Sequence, residues 1–130
     1  MRKARWKTLA TIILVSASLT LGFANVDITK RIRFAKGKTS ATVKNSVLRD
    51  EIHYYLVKVR QGQNLSVKVT SLEKNASFRI MKPSGGFVDG AGEMDEPTAW
   101  SGTVAESGDY KIEVAPDRGN ASYRLTVSVK

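Results

Sequence analysis

The stretch that most restricts what this chain can fold into is Ser107–Lys130, SGDYKIEVAPDRGNASYRLTVSVK, where apolar and polar residues alternate on both sides of a short charged loop. Tyr110, Ile112 and Val114 fall on one face, with Asp109, Lys111 and Glu113 on the other. Beyond the loop, Tyr123, Leu125, Val127 and Val129 alternate with Ser122, Arg124, Thr126 and Ser128. Successive side chains of a strand point to opposite faces, so the pattern fits two strands with one buried face each. Pro116-Asp117-Arg118-Gly119-Asn120 between them are turn formers around one arginine. The pattern predicts a C-terminal β-hairpin with Arg118 displayed at its tip.

The same period recurs upstream. After a polar lead-in over residues 25–30, Arg31-Ile32-Arg33-Phe34 predicts a first strand with Ile32 and Phe34 inward. The β-branched stretch 39–47 predicts a second, with Ala41, Val43 and Val47 on one side. In 51–59, Tyr55, Val57 and Val59 share a face, and in 65–70 Leu65, Val67 and Val69 do. The polar Arg60-Gln61-Gly62-Gln63 between these two runs predicts a central hairpin at the heart of the core. Phe78 and Ile80 flank Arg79 in a fifth strand, stopped by Pro83-Ser84-Gly85-Gly86. Residues 87–98, rich in glycine and acids, predict an irregular surface excursion, after which Trp100 and Val104 return toward the core. Seven to eight short strands with no amphipathic helix predict an all-β fold over 31–130. The expected form is a single antiparallel β-sandwich, jelly-roll-like or Ig-like, with a small barrel as its competitor.

The N-terminus addresses the compartment. Arg2, Lys3, Arg5 and Lys7 precede an apolar, Ser/Thr-diluted run from Leu9 to Leu21, and Gly22-Phe23-Ala24 places small residues where a signal peptidase reads them. The run falls short of the roughly 20 apolar residues of a membrane span. The expectation is a signal peptide over 1–24 cleaved after Ala24, delivering the domain to the periplasm or outside the cell with no stable membrane anchor. Four of the 21 basic residues leave with that segment, so 17 remain against 12 acids and the net charge drops from +9 to +5. This charge is dispersed over Lys36, Lys38, Lys58, Arg60, Lys68, Lys111 and Arg124, without the concentrated stripe of a nucleic-acid binder. With no cysteine, there is no disulfide, no thiolate ligand and no thiol nucleophile, and stability must come from packing.

Catalytic readings find no support. There is one histidine, His53, expected on a strand surface, and no G-x-S-x-G frame. The acids Asp89, Glu93, Asp95 and Glu96 suggest calcium by type, but their spacing matches no known calcium loop. Trp100, beside Ala99 and near Val104, is expected to be packed rather than to serve as a sugar platform. The expectation is a protein that is not an enzyme and carries neither cofactor nor metal. Arg118 is the residue best placed for recognition, because a guanidinium on a stiff turn loses little entropy when it grips a carboxylate.

RFAKGKTSATV at 33–43, YYLVKVRQGQNLSVKV at 54–69, SGDY at 107–110, Arg118 and the closing YRLTVSVK together resemble the periplasmic inhibitors of g-type lysozyme. More broadly, the layout is similar to the bacterial pre-peptidase C-terminal class of β-sandwich modules. The narrower resemblance implies an exported inhibitor that docks loops in the substrate cleft of a g-type lysozyme and blocks peptidoglycan hydrolysis. It implies Ser107, Gly108, Tyr110 and Arg118 as the partner-binding residues. The broader class implies a non-catalytic module that binds peptidoglycan or another polysaccharide. If both contact elements act together, they sit at the two ends of one strand and need a partner that spans them.

Overall fold

The computed structural model describes residues 27–130, and the expected signal segment and its cleavage site lie outside them. Eight strands form the domain: β1 (Ile28–Arg31), β2 (Ser40–Val47), β3 (His53–Val59), β4 (Asn64–Ser71), β5 (Ala76–Met81), β6 (Ala99–Thr103), β7 (Gly108–Pro116) and β8 (Ala121–Val129). They make two four-stranded sheets, β1-β3-β7-β5 and β2-β8-β4-β6, in a β-sandwich with no helix among the described residues. Every neighbouring pair of strands is antiparallel except β1 and β3, which run parallel.

The inward faces are the ones the alternation assigns. Tyr55, Val57 and Val59 on β3 and Tyr110, Ile112 and Val114 on β7 are buried. They meet Leu65, Val67 and Val69 of β4 and Tyr123, Leu125, Val127 and Val129 of β8. Each of these side chains contributes on the order of 1.5–3 kcal/mol on burial, which is how a domain without disulfides holds together.

Both expected hairpins are instead crossovers. β3 and β4 lie in different sheets, as do β7 and β8. Loops 60–63 and 117–120 are therefore arches over the two ends of the sandwich. Alternation fixes which face of a strand is buried and carries no information on which neighbour it hydrogen-bonds, so a short Gly-containing loop serves an arch as well as a hairpin. The first strand also lies earlier than expected: Ile28–Lys30, placed in the lead-in by their polarity, pair with β3, and Ile32 is buried just past the strand end.

One further expectation is corrected. His53 is buried, 1 % exposed, because it shares the inward parity of Tyr55, Val57 and Val59. Its Nδ1 lies 2.7 Å from the Tyr123 hydroxyl, which is itself bonded to the hydroxyl of Tyr55, so three polar groups satisfy one another in the core. Residues 87–98 form the irregular surface segment expected of them, and the structure adds that they are pinned to β5. Val88 N–H donates to Ile80 O, Ile80 N–H to Ala91 O and Phe78 N–H to Pro97 O, so the segment covers the outer edge of β5 and Ala91 is fully buried. An open strand edge is an aggregation liability, and this segment removes it. Trp100 is half-buried beside it, its indole N–H donating to Asp89 O at 2.9 Å.

Candidate functional site

The S-G-x-Y element stands where the chain enters β7, and each of its residues fixes a neighbouring loop. The Ser107 Oγ accepts the Gln61 N–H at 2.8 Å, tying the entry of β7 to the arch between β3 and β4. The arch is further held by Gly62 N–H to Val104 O at 3.0 Å and Val104 N–H to Gln63 O at 3.0 Å. Gly108 sits at φ +144, and a Cβ there would lie 2.8 Å from the Pro83 ring. Tyr110 is buried in the core, and its hydroxyl donates to Glu106 O at 2.7 Å, closing the turn that precedes it. Glu106 in turn accepts from the Ser84 N–H at 2.8 Å and the Ser84 hydroxyl at 3.0 Å, and these bonds hold its carboxyl below the usual range. Three loops, 60–63, 82–86 and 104–107, are thus locked into one tip.

Around this tip the exposed charge is mainly basic. Arg60 and Lys38 are exposed and border a common hollow of about 430 Å³ with Phe34 at its side. Lys82, half-buried, flanks the turn that meets Gly108. One acid beside the tip is neutralised. Arg31 donates two bonds to Asp109, at 2.9 and 2.7 Å, and holds that carboxyl below its ordinary value. The tip therefore carries the exposed cations Arg60 and Lys38 on loops held in place, with the carboxylate of Glu106 on the neighbouring loop.

Arg118 belongs to the opposite end. β7 spans nine residues between the two elements, so they stand roughly 30 Å apart at strand rise. Arg118 is exposed, and its Nη2 donates to Glu73 O at 2.9 Å. Its loop is clamped by Asn75, whose Nδ2 donates to Arg118 O at 3.1 Å and Asn120 O at 2.9 Å. Asp117 accepts from Ser77 Oγ at 2.6 Å. The four residues singled out from the sequence therefore do not form one site: Ser107, Gly108 and Tyr110 build one end, and Arg118 the other. Tyr110 has no exposed surface to offer a partner. Arg60 reads in the sequence as a hairpin turn residue, and its exposure at the tip follows from the arch.

No group of three or more potential metal ligands occurs among the described residues. No family model matches the chain. No curated protein is detectably related to it in sequence. Solved structures do match. PliG of Aeromonas hydrophila, a periplasmic lysozyme inhibitor of g-type lysozyme, superposes with a TM-score of 0.70 at 28% identity, covering 82% of this chain and 100% of that one. A mutant of the Escherichia coli PliG matches with a TM-score of 0.64 at 19% identity, over 81% of this chain and 100% of that one. The pre-peptidase C-terminal domain of a Bacillus anthracis collagenase matches at 0.58 and 19%, over 82% and 99%. Both the narrow and the broad resemblance drawn from the sequence are thus met in structure, and the two PliG neighbours are inhibitors by name rather than enzymes.

Proposed function

We propose that this chain is an exported, periplasmic inhibitor of g-type lysozyme, and that it blocks peptidoglycan hydrolysis by inserting the Ser107 tip into the enzyme's substrate cleft. The observation that carries the reading is the match to the Aeromonas hydrophila inhibitor over the whole of that protein's length. The physics of the tip supports it. A glycosidase cleft carries a pair of carboxylates, and Arg60 is an exposed guanidinium on an arch that Ser107 and Val104 hold in place. The planar fork of a guanidinium can grip a carboxylate in two-point fashion. In this reading Gly108 and Tyr110 shape the tip from beneath, Ser107 sets the arch, and Arg118, at the far end, makes no contact with the cleft.

The test is inhibition of a purified g-type lysozyme by the chain without residues 1–24, alongside Arg60→Ala and Arg118→Ala. The parent is expected to inhibit at micromolar concentration or below. Arg60→Ala should weaken inhibition at least tenfold, about 1.4 kcal/mol, and Arg118→Ala by less than about twofold. No inhibition by the parent at micromolar protein removes the function, and the reverse order of the two variants moves the docking surface to the Arg118 end.

A further inference from the structure

The two outer faces of the sandwich differ in charge. On the β1-β3-β7-β5 sheet, Arg31 pairs with Asp109, Arg79 with Glu113 at 2.8 Å, and Lys111 lies 4.0 Å from Glu113 and over the Tyr54 ring. The β2-β8-β4-β6 sheet turns outward a field of hydroxyls. Ser40, Ser128, Ser66 and Ser101 stand in one row across its four strands, and Thr42 lies opposite Thr126. No acid lies on the outward positions of these strands, which carry Lys44, Lys68 and Arg124. None of these three cations has an acid within 4 Å among the described residues.

Lys44 and Arg124 are direct cross-strand partners, and the next residue in that row is Thr70. Like charges placed opposite each other on one face of a sheet destabilise it, so the fold carries a local cost with no internal compensation. The pair lines an open groove of about 620 Å³ with Ser46, Ser122 and Thr70, and Leu72, 93 % exposed, stands at its rim. Ser46 and Ser122 lie 3.0 Å apart in a mutual hydrogen bond that either hydroxyl can donate, so the pair can present a donor or an acceptor outward.

We propose that this groove, with the hydroxyl rows continuing from it, binds an acidic polysaccharide laid across the sheet. The Lys44–Arg124 pair takes a carboxylate of the glycan, Ser46, Ser122 and Thr70 exchange hydrogen bonds with its hydroxyls, and Leu72 covers the apolar face of a sugar ring. The choice rests on charge complementarity and on the flat array of surface hydroxyls, which matches a polyhydroxyl chain better than it matches an apolar protein surface. The groove lies on a sheet face away from the Ser107 tip, so this binding is independent of the inhibition proposed above.

Sedimentation with peptidoglycan sacculi, whose glycan strands carry free carboxylates on their stem peptides, tests the assignment, with chitin as the uncharged control. The parent chain should pellet with sacculi, be released as salt is raised, and stay in solution with chitin. A Lys44→Thr/Arg124→Thr variant should bind at least about tenfold more weakly yet melt at or above the parent, because it loses a repulsion. Lys36→Thr/Lys38→Thr removes the same charge at the other end of the sandwich and should bind within twofold of the parent. Equal binding to chitin, unchanged binding by the first variant, or an equal loss in the second overturns the proposal. If the first variant does not fold, Lys44→Gln, which keeps most of the stem, should still weaken binding measurably, and parent-like binding overturns the proposal. Lysozyme inhibition by the Lys44/Arg124 variant, read on a soluble oligosaccharide, should equal that of the parent, so failure of one reading leaves the other standing.

Discussion

The Ser107 hydroxyl accepts the Gln61 N–H at 2.8 Å and so joins the entry of β7 to the arch between the two sheets. With Gly108 under Pro83 and Tyr110 bonded to Glu106 O, the S-G-x-Y element is an architectural corner before it is anything else. Its variants should therefore rank by mechanism. Ser107→Ala and Tyr110→Phe each lose one hydrogen bond and should cost about 1 kcal/mol. Gly108→Ala forces a Cβ against a proline ring from a positive φ and should cost about 2 kcal/mol or more. Urea unfolding of the three variants checks the order, and a Gly108→Ala variant as stable as the parent would contradict the corner.

At the other end, Asn75 and not Arg118 holds the loop. The Asn75 side chain, in a residue 3 % exposed, donates to two carbonyls of the 117–120 loop, whereas Arg118 makes one exposed bond to Glu73 O. Asn75→Ala leaves two carbonyls short of a donor and should lower stability by about 2 kcal/mol. Arg118→Ala should fall within about 0.5 kcal/mol of the parent. Thermal melts of both variants decide the matter, and an Arg118→Ala penalty equal to that of Asn75→Ala would assign the clamp to the guanidinium.

How far these ends were visible in the sequence follows from what alternation measures. It reports the buried side of each strand, and the inward sets of β3, β4, β7 and β8 follow from it residue by residue. It does not report partners, so two arches read as hairpins, although Ser107 and Arg118 already fall at opposite ends of one strand. β1 shows no apolar period in ITKR, because its strand character comes from backbone pairing with β3 and its side chains are mostly exposed. Arg118 was legible as an exposed loop cation, while its bond to Glu73 O depends on two loops 45 positions apart meeting in space. The charge asymmetry of the two outer faces was in principle readable from parity alone, once the strands were sorted into sheets.

Glu113 is an outward residue of β7 that is nevertheless buried, its side chain 8% exposed and paired to Arg79 at 2.8 Å, with Lys111 at 4.0 Å. Arg79 also lies over the Phe87 ring, so the 87–98 segment helps bury the pair. Removing Arg79 alone strands a buried carboxylate beside one distant ammonium. Arg79→Met should therefore cost about 3 kcal/mol. On a Glu113→Gln background the same substitution should cost less than about 1 kcal/mol, because no buried charge is left behind. A double-mutant cycle by chemical denaturation measures the difference, and additive penalties would mean that the pair is solvated and uncoupled.

The buried His53 gives the fold an acid sensitivity of definite sign. Burial lowers its pKa from 6.5, and the carboxylates of Glu51, 3.9 Å from Nε2, and of Asp27 offset this only in part. The unfolded chain therefore takes up a proton before the native one does. Stability is fully present above about pH 6.5 and is lost as pH falls through that value toward the lower native pKa, since the unfolded state binds more protons there. Asp109 and Glu106, whose carboxyls are held below their ordinary 3.8 and 4.5, also lose stability on acidification, but only below about pH 4.5, so the two windows separate. Unfolding free energies measured from pH 8 to pH 5 should be level to about 6.5 and then fall. In His53→Gln the fall between 6.5 and 5 should flatten, on a lower plateau because the Tyr123 hydroxyl loses its partner at 2.7 Å. A parent whose stability rises on acidification through this window would show that His53 is protonated in the core and paired with Glu51, and a variant that keeps the full slope would assign the sensitivity to another group.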